Sequence, residues 1–242
     1  MTEPRTKSGD KKASVRFYAE LNDFLSGGRR FTDIEHRFYV PGSVKDVIES
    51  LGVPHTEVDL IIANGESVDF SYPVNDGDRI SVYPVFESVD ISPVIRLRPR
   101  PLRIARFVAD ANLGALARYL RLMGFDVLYD AGCRDPELVE VSLAERRCIL
   151  TRDVGVLKRA AVTHGYFVRA VHPKMQAAEV VARFDLTGDV KPFTRCANCN
   201  GLLVSTGSGG TRCADCGQLY WKGSHHDRIL AVVDEITTAA AT

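Results

Sequence analysis

The alternation of apolar and polar positions near the start of the chain predicts a small α+β unit. Four segments have the short alternating pattern typical of strands, at residues 14–21, 35–40, 59–63 and 79–86. Between the second and third segments, Ser43 can cap a helix that ends near Leu51 and has one apolar face. The resulting order, ββαββ, indicates a β-grasp domain over residues 14–90.

A second pattern begins at residue 104, where short apolar runs alternate with stretches of helical period. The predicted strands cover residues 104–109, 125–129, 148–150 and 166–171, and the predicted helices cover residues 113–123, 135–147, 154–161 and 174–184. This βαβαβαβα order predicts an α/β domain with a parallel sheet between two helical layers, over residues 104–190. Residues 191–242 contain a cysteine-rich segment and a short helix at 227–237.

The remaining segments are polar or rich in proline. Residues 1–13 form a charged leader that we expect to be disordered. Residues 91–103 form a linker with three prolines and four arginines, which is either a solvated tether or a phosphate contact. No apolar run reaches the roughly 20 residues of a membrane span, and no signal-peptide core is present, so we expect a cytoplasmic protein.

The zero net charge of the chain hides an asymmetry. Residues 14–90 carry six Lys/Arg and 14 Asp/Glu, a net charge of −8, whereas residues 91–242 carry 21 and 15, a net charge of +6. The second region therefore suits a nucleic-acid partner and the first does not, unless the split is chance variation of solvated surfaces. One hypothesis is that the acidic unit covers the nucleic-acid-binding surface of the second region and restrains its activity.

Three predicted strands are followed by aspartates, at Asp110, Asp130 and Asp153. The carboxyl ends of parallel strands meet at one edge of a sheet, where ligands bind. Clustered carboxylates repel one another, and Mg²⁺ or Mn²⁺ resolves that conflict while activating water against a phosphodiester. Glu137 is expected to complete the metal shell, although acids in a first helical turn, such as Asp135 and Glu140, also interact favourably with the helix dipole.

Three arginines lie close in sequence to these aspartates. Arg118 is predicted to stabilise the phosphate during catalysis because its helix starts beside Asp110. Arg121 and Arg152 are predicted to hold the nucleic-acid backbone. The alternative for each is an ordinary surface arginine.

Four cysteines form the pattern C-x2-C-x13-C-x2-C, at Cys196, Cys199, Cys213 and Cys216. This spacing predicts a structural Zn²⁺ site of the ribbon type, with disulfides as the less favoured alternative. Trp221 and Lys222 follow directly and are predicted to stack a base and contact a phosphate, unless the aromatic residues pack the ribbon against its neighbour. Cys133 and Cys148 are interpreted as ordinary thiols.

Residue identities sharpen this interpretation. The stretches FVADANLGALARYLRLMGFDVLYD, CILTRD and YWKGSHHD, together with the cysteine pairs, resemble the Mut-seven C-terminal RNase family, a PIN-like nuclease group. The resemblance covers roughly residues 104–226. It implies a PIN-like fold and metal-dependent RNA cleavage by acidic residues, which correspond to Asp110 and Asp153 and, less directly, to Asp130.

The stretch VNDGDRISVYPVF resembles ubiquitin-like sulfur carriers of the ThiS and MoaD type. Those carriers end in a free Gly-Gly, whereas here the chain continues as Glu87-Ser88-Val89-Asp90. The resemblance therefore implies a ubiquitin-like fold but favours docking of a protein partner over sulfur transfer.

These features predict a metal-dependent ribonuclease that acts on structured or transfer RNA. A non-catalytic RNA-binding adaptor is the main alternative. A redox or sulfur-trafficking protein is the third, and the missing Gly-Gly counts against it. Divalent-ion dependence of RNA cleavage separates the first two, and one tight zinc per chain excludes the third.

Overall fold

A computed structural model describes residues 11–84, 105–207, 209–221 and 223–241, without the side chain of residue 225. The predicted linker, Lys222 and most of the predicted leader lie outside the described residues. The chain divides into two compact units, Met1–Pro101 and Leu102–Thr242, and each is described by itself.

The first unit is one five-stranded mixed sheet with a helix packed on it. Its elements are β1 (Lys11–Phe17), β2 (Ile34–Phe38), α1 (Val44–Ser50), β3 (Val58–Ala63), β4 (Glu66–Val68) and β5 (Arg79–Pro84). The strand order is β2-β1-β5-β3-β4, in which β1 and β5 pair in parallel and all other neighbours are antiparallel. This arrangement confirms the predicted β-grasp, and Ser43 caps α1 by accepting a hydrogen bond from the Asp46 amide.

Three details of this unit differ from the prediction. Strand β1 begins at Lys11, so the last three residues of the predicted disordered leader belong to the sheet, where they pair with β2. The same strand ends at Phe17 because a 3-10 helix follows, where the Asn22 side chain donates to the carbonyls of Phe17 and Ala19. The third difference is the short strand β4, which pairs with β3 across a turn at Asn64-Gly65. Three residues are too few to produce a recognisable period in the sequence.

The second unit is built on a parallel sheet of four strands: β6 (Arg106–Ala109), β7 (Asp126–Tyr129), β8 (Cys148–Thr151) and β9 (Gly165–Phe167). The strand order is β7-β6-β8-β9. The helices are α2 (Gly114–Leu122), α3 (Asp135–Glu145), α4 (Val154–Leu157), α5 (Pro173–Arg183) and α6 (Ser224–Ala240).

Two separate cores cover the two faces of this sheet, so the predicted three-layer α/β architecture is confirmed. On one face, residues of α2, α5 and α6 bury Phe107 and Leu150. On the other face, α3 and α4 bury Val108 and Ile149. Each interior strand is apolar on both sides because it is covered on both sides.

Helix α6 is longer than predicted and belongs to the α/β core. It starts at Ser224 and ends at Ala240, and its buried residues Ile229, Val233 and Ile236 join the core formed by α2 and α5. Among the described residues, we find no helix with both the length and the apolar character needed to cross a membrane.

The cysteine-rich segment forms a three-stranded antiparallel sheet of β10 (Leu203–Ser205), β11 (Thr211–Cys213) and β12 (Leu219–Tyr220). The first cysteine pair precedes β10, and the second pair begins at the end of β11. This places the cysteines in a ribbon, as the spacing predicts.

Candidate active site and metal cluster

Asp110 and Asp130 follow neighbouring parallel strands at the carboxyl edge of the sheet. The preceding residues, Ala109 and Tyr129, are partners in the β6–β7 register, so the two aspartates leave the sheet side by side. Asp110 is half-buried and Asp130 is exposed. The parallel pairing of β6 and β7 thus places side by side two aspartates that are 20 positions apart in sequence.

Thr151 links Asp110 to the turn that contains Asp153. This fully buried residue ends β8, and its hydroxyl donates to Asp110 Oδ2 at 2.6 Å. The same hydroxyl accepts the Asp153 amide at 2.9 Å. The Asp153 carboxylate is exposed and accepts the Gly155 amide at 2.6 Å, which caps α4.

All three predicted aspartates use one oxygen for a local turn. Asp110 Oδ1 accepts the Asn112 amide at 3.3 Å, and Asp130 Oδ1 accepts the Gly132 amide at 2.8 Å. These bonds fix the direction of each carboxylate without neutralising it. Within the described residues, however, no three carboxylates form a group that could hold a metal ion by themselves.

Cys133 reports the electrostatic character of this edge. Burial raises the pKa of its thiol, and the negative charges of Glu137, Asp130, Asp110 and Asp135 raise it further. Four carboxylates therefore act on one point of the surface, which disfavours additional negative charge and favours cations. The sequence alone indicated an ordinary thiol at Cys133 and did not predict that it lies among these carboxylates.

Glu137, the predicted fourth metal ligand, lies near this edge but serves another purpose. It closes a capping box at the start of α3, accepting the Arg134 amide at 3.1 Å and Arg134 Nε at 3.0 Å. These hydrogen bonds lower the pKa of the Glu137 carboxyl. Asp135 is likewise engaged, by Arg159 at 3.1 Å. The structure therefore gives Glu137 a capping role.

The three predicted arginines have different environments. Arg118 is exposed on α2. Arg152 Nη1 donates to the carbonyls of residues 168, 169 and 170, so this group anchors the loop after β9. Arg152 as a whole is exposed to solvent.

Arg121 corrects the prediction of an RNA contact. It is only 4% exposed, and its guanidinium donates to the backbone carbonyls of Val127, Ala197 and Asn198. Burial lowers the pKa of Arg121, while the negative charges of Cys199 and Cys196 oppose that change. Although Arg118 lies only three positions earlier on α2 and is exposed, the Arg121 side chain is directed at the first cysteine pair.

The four predicted zinc ligands form one cluster. Their sulfur atoms all lie within 4.8 Å of one another, with 3.6 Å between Cys196 and Cys216 and 3.3 Å between Cys199 and Cys213. These separations exceed the roughly 2.05 Å of a disulfide. They approach the about 3.8 Å expected between sulfurs around a tetrahedral ion with bonds of about 2.3 Å. The donor set therefore fits zinc.

The protonation equilibria of the cluster also favour a cation. Burial opposes ionisation of Cys196, but the Tyr220 hydroxyl and the Cys199 and Asn198 amides outweigh it and lower its pKa to about 6. Burial and the neighbouring cysteines raise the pKa of Cys199 to about 12. One thiolate thus forms easily and suppresses the next, and a divalent metal removes this conflict.

One face of the ribbon carries a row of exposed side chains. Val204 pairs with Arg212, and Arg212 pairs with Leu219, so the three share a face. Trp221 lies two positions beyond Leu219 and contacts Gly210 while remaining 52% exposed. Tyr220, by contrast, turns inward to the cysteines, where its hydroxyl lies 3.2 Å from Cys196 Sγ. The two neighbouring aromatic side chains therefore point in different directions, Tyr220 to the cysteines and Trp221 to solvent.

The sequence alone did not predict two residues that hold the candidate site and the ribbon in place. The Thr151 hydroxyl bonds both Asp110 and the Asp153 amide, and its only signal in the sequence is a hydroxyl residue directly before Arg152-Asp153. Asn200 connects the ribbon to β7: its side chain accepts a hydrogen bond from the Val127 amide and donates one to the Asp126 carboxylate. A polar residue after a cysteine pair gives no signal of such a distant partner.

Comparison with protein families supports the two-unit organisation. A family model described as the Mut7-C RNAse domain matches residues 105–233, and one described as Mut7-C ubiquitin matches residues 10–90. Searches of curated proteins and of solved structures gave no match. The first match covers more than half of the chain and includes the sheet, the cysteine cluster and most of α6. The chain therefore belongs to the Mut7-C RNAse domain family and has a Mut7-C ubiquitin domain in its first unit.

Proposed function

We propose that this protein is a metal-dependent ribonuclease that cleaves RNA phosphodiester bonds, with structured or transfer RNA among its substrates. The observation that carries the proposal is the strand-end arrangement in which Asp130 lies beside Asp110, and Thr151 links Asp110 to the Asp153 turn. The match of residues 105–233 to the Mut7-C RNAse domain supports a nuclease-like function.

The donor set at this edge suits Mg²⁺ or Mn²⁺. Hard divalent ions prefer carboxylate oxygens, and Mg²⁺ keeps several waters, so one or two direct carboxylate ligands suffice. We assign Asp110, Asp130 and Asp153 to holding the ion, directly or through water. When bound, the ion supplies a more acidic water and neutralises charge on the phosphodiester.

The chain itself supplies orientation and positive charge. Thr151 holds the Asp110 carboxylate in one direction and keeps the Asp153 turn beside it. Arg118, exposed on the helix that begins after the Asp110 turn, is assigned to the charge that develops on the phosphate. Arg152 and Lys222 are assigned to the RNA backbone, and Lys222 lies outside the described residues.

The exposed ribbon face is assigned to a single-stranded part of the RNA. Trp221 presents a ring for base stacking, and Arg212 places a cation between two apolar side chains of the same face. The four cysteines are assigned to structural Zn²⁺. Four thiolates complete a tetrahedral shell, which leaves no position for catalysis.

The test compares the wild type with Asp110→Asn and Asp153→Asn on labelled hairpin and single-stranded RNA, with Mg²⁺ or Mn²⁺. Both variants should lose on the order of 100-fold or more in cleavage rate, because each removes charge where the ion is held. Asp234→Asn on α6 is the matched control, since Asp234 is exposed and belongs to none of the three strand-end turns. Chelation by EDTA should abolish cleavage by the wild type.

A non-catalytic RNA-binding adaptor is the alternative, and one observation favours it. The described carboxylates do not gather as tightly as the four cysteines do. The same experiment separates the two functions. Absence of cleavage with either metal, together with equal RNA binding by all four proteins, would replace the ribonuclease proposal with the adaptor.

A further inference from the structure

The buried guanidinium of Arg121 joins the catalytic-domain sheet to the first cysteine pair. Its Nε donates to the Val127 carbonyl of β7 at 2.8 Å, and its Nη1 donates to the Asn198 carbonyl at 2.8 Å and the Ala197 carbonyl at 3.4 Å. Ala197 and Asn198 are the two residues between Cys196 and Cys199. One side chain thus contacts a sheet edge and a metal-binding loop together.

The same two peptide units face the sulfur on their other side. The amides of Asn198 and Cys199 donate to the Cys196 thiol. In a trans peptide the C=O and N–H groups point in opposite directions, so each unit has its carbonyl at Arg121 and its N–H at Cys196. The positive guanidinium therefore polarises both peptides in the direction that stabilises a thiolate at Cys196.

Asn200 completes the contact from the end of the same loop. It is buried with a positive φ of 72°, and its side chain accepts the Val127 amide at 3.1 Å and donates to Asp126 at 2.7 Å. Strand β7 is an edge strand, and its open side at Val127 therefore has both backbone groups satisfied, the amide by Asn200 and the carbonyl by Arg121. The cysteine loop takes the place of a neighbouring strand.

Charge gives this contact its dependence on metal. A divalent ion held by four thiolates carries a net charge of −2, which a buried guanidinium compensates. Without the ion, the loop loses the four metal bonds that fix its shape and the Arg121 guanidinium no longer faces a metal site of net charge −2. The energy of the Arg121 contact is therefore different in the two metal states.

We propose that Arg121 is the counter-charge of the zinc site and that, with Asn200, it couples zinc binding to the order of strand β7. Coupling of this kind is reciprocal: zinc orders the β7 edge, and an intact edge tightens zinc. Since β7 ends directly before Asp130, the zinc site positions one side of the acidic edge. The inference rests on the proposed zinc ligands and is independent of RNA cleavage.

The first measurement is zinc affinity of the full chain, by competition with a chromophoric chelator. Arg121→Met keeps the length of the side chain but removes its charge and donors, and should weaken zinc binding by about tenfold or more. Arg121→Lys keeps the charge and should recover part of the affinity. Arg228→Met, at an exposed arginine of α6, is the matched control and should bind like the wild type.

The second measurement needs no variant and remains informative if Arg121→Met folds poorly. Amide hydrogen exchange of the wild type is followed with Zn²⁺ and after its removal by a chelator. Exchange at Val127 should accelerate more than at residues of β9, on the opposite edge of the sheet. Equal acceleration in β7 and β9, no acceleration at Val127, or equal zinc affinity of Arg121→Met and the wild type would overturn the proposal. Absence of tight zinc in the wild type would instead overturn the zinc assignment itself.

Discussion

At the scale of single residues, Asp126 shows how much one carboxylate can organise. Its side chain is 12% exposed and accepts Arg147 Nη1 at 2.8 Å, and its second oxygen lies 3.4 Å from Arg195. Burial raises the pKa of Asp126, but the hydrogen bonds from Arg147 and Asn200 outweigh it and hold the pKa below its ordinary value. The ionised form is therefore the one that the fold stabilises.

Replacement of Asp126 by Ala should lower the free energy of unfolding by about 3 kcal/mol, because it leaves the buried Arg147 guanidinium without its main partner. Urea denaturation measures the loss. Glu145→Ala is the matched control, since Glu145 is the other partner of Arg147 but is 47% exposed. That variant should lose less than about 1 kcal/mol. Equal losses in the two variants would show that Arg147 depends no more on Asp126 than on Glu145.

The lowered pKa of Asp126 also sets a direction for acid sensitivity. A carboxyl with a lower pKa in the folded chain contributes stability above the unfolded pKa, near the ordinary 3.8, and loses it as pH falls through the folded value. Wild-type unfolding free energy should therefore decline over this acidic window more steeply than that of Asp126→Asn. Parallel declines in urea denaturation series would contradict the assignment.

At the scale of elements, one close approach positions helix α2 beside strand β7. A Cβ at Gly114 would lie 2.5 Å from the Tyr129 hydroxyl, which donates to the Ala111 carbonyl at 3.0 Å. Because Tyr129 directly precedes Asp130 and Gly114 begins the helix that carries Arg118, this contact relates two parts of the proposed site. The absence of a side chain at Gly114 is what permits it.

Gly114→Ala should cost about 1–3 kcal/mol of stability, since the added methyl group forces Tyr129 or α2 to shift. The same substitution should cost clearly less in a Tyr129→Leu background, where the ring is gone. A double-mutant cycle by chemical denaturation measures the difference. Additive losses would mean that the two residues do not constrain each other.

At the scale of the whole molecule, the charge split gives the ubiquitin-like unit a testable effect on RNA binding. Deletion of residues 1–90 leaves a chain of net charge +6, compared with zero for the full chain. RNA affinity should increase by roughly tenfold or more at low salt and the gain should shrink at high salt, because salt screens charge. Binding titrations of both proteins at several salt concentrations test this. Unchanged affinity at low salt would leave docking of a protein partner as the proposed role of that unit.

Local patterns in the sequence were sufficient for the longer strands and helices and for the cysteine cluster, but not for the short strand β4 or the strands of the ribbon. Strand and helix periods depend on neighbouring residues, and the two CxxC pairs bring their own ligands within a few residues, so both are readable without a fold. The strand-end aspartates were readable for a similar reason, since a parallel sheet always collects its carboxyl ends at one edge. The boundaries were less certain where 3-10 helices and side-chain caps ended an element early, as after Phe17.

Tertiary structure alone decided which polar side chains serve the site and which serve the fold. Arg118 and Arg121 lie one turn apart on the same helix, yet one is exposed and the other is buried against the cysteine loop. Glu137 satisfies the start of its own helix, and Thr151 links two aspartate turns across adjacent strands. A residue's type and spacing determine what it can do, whereas its partners depend on distant segments that only folding brings together.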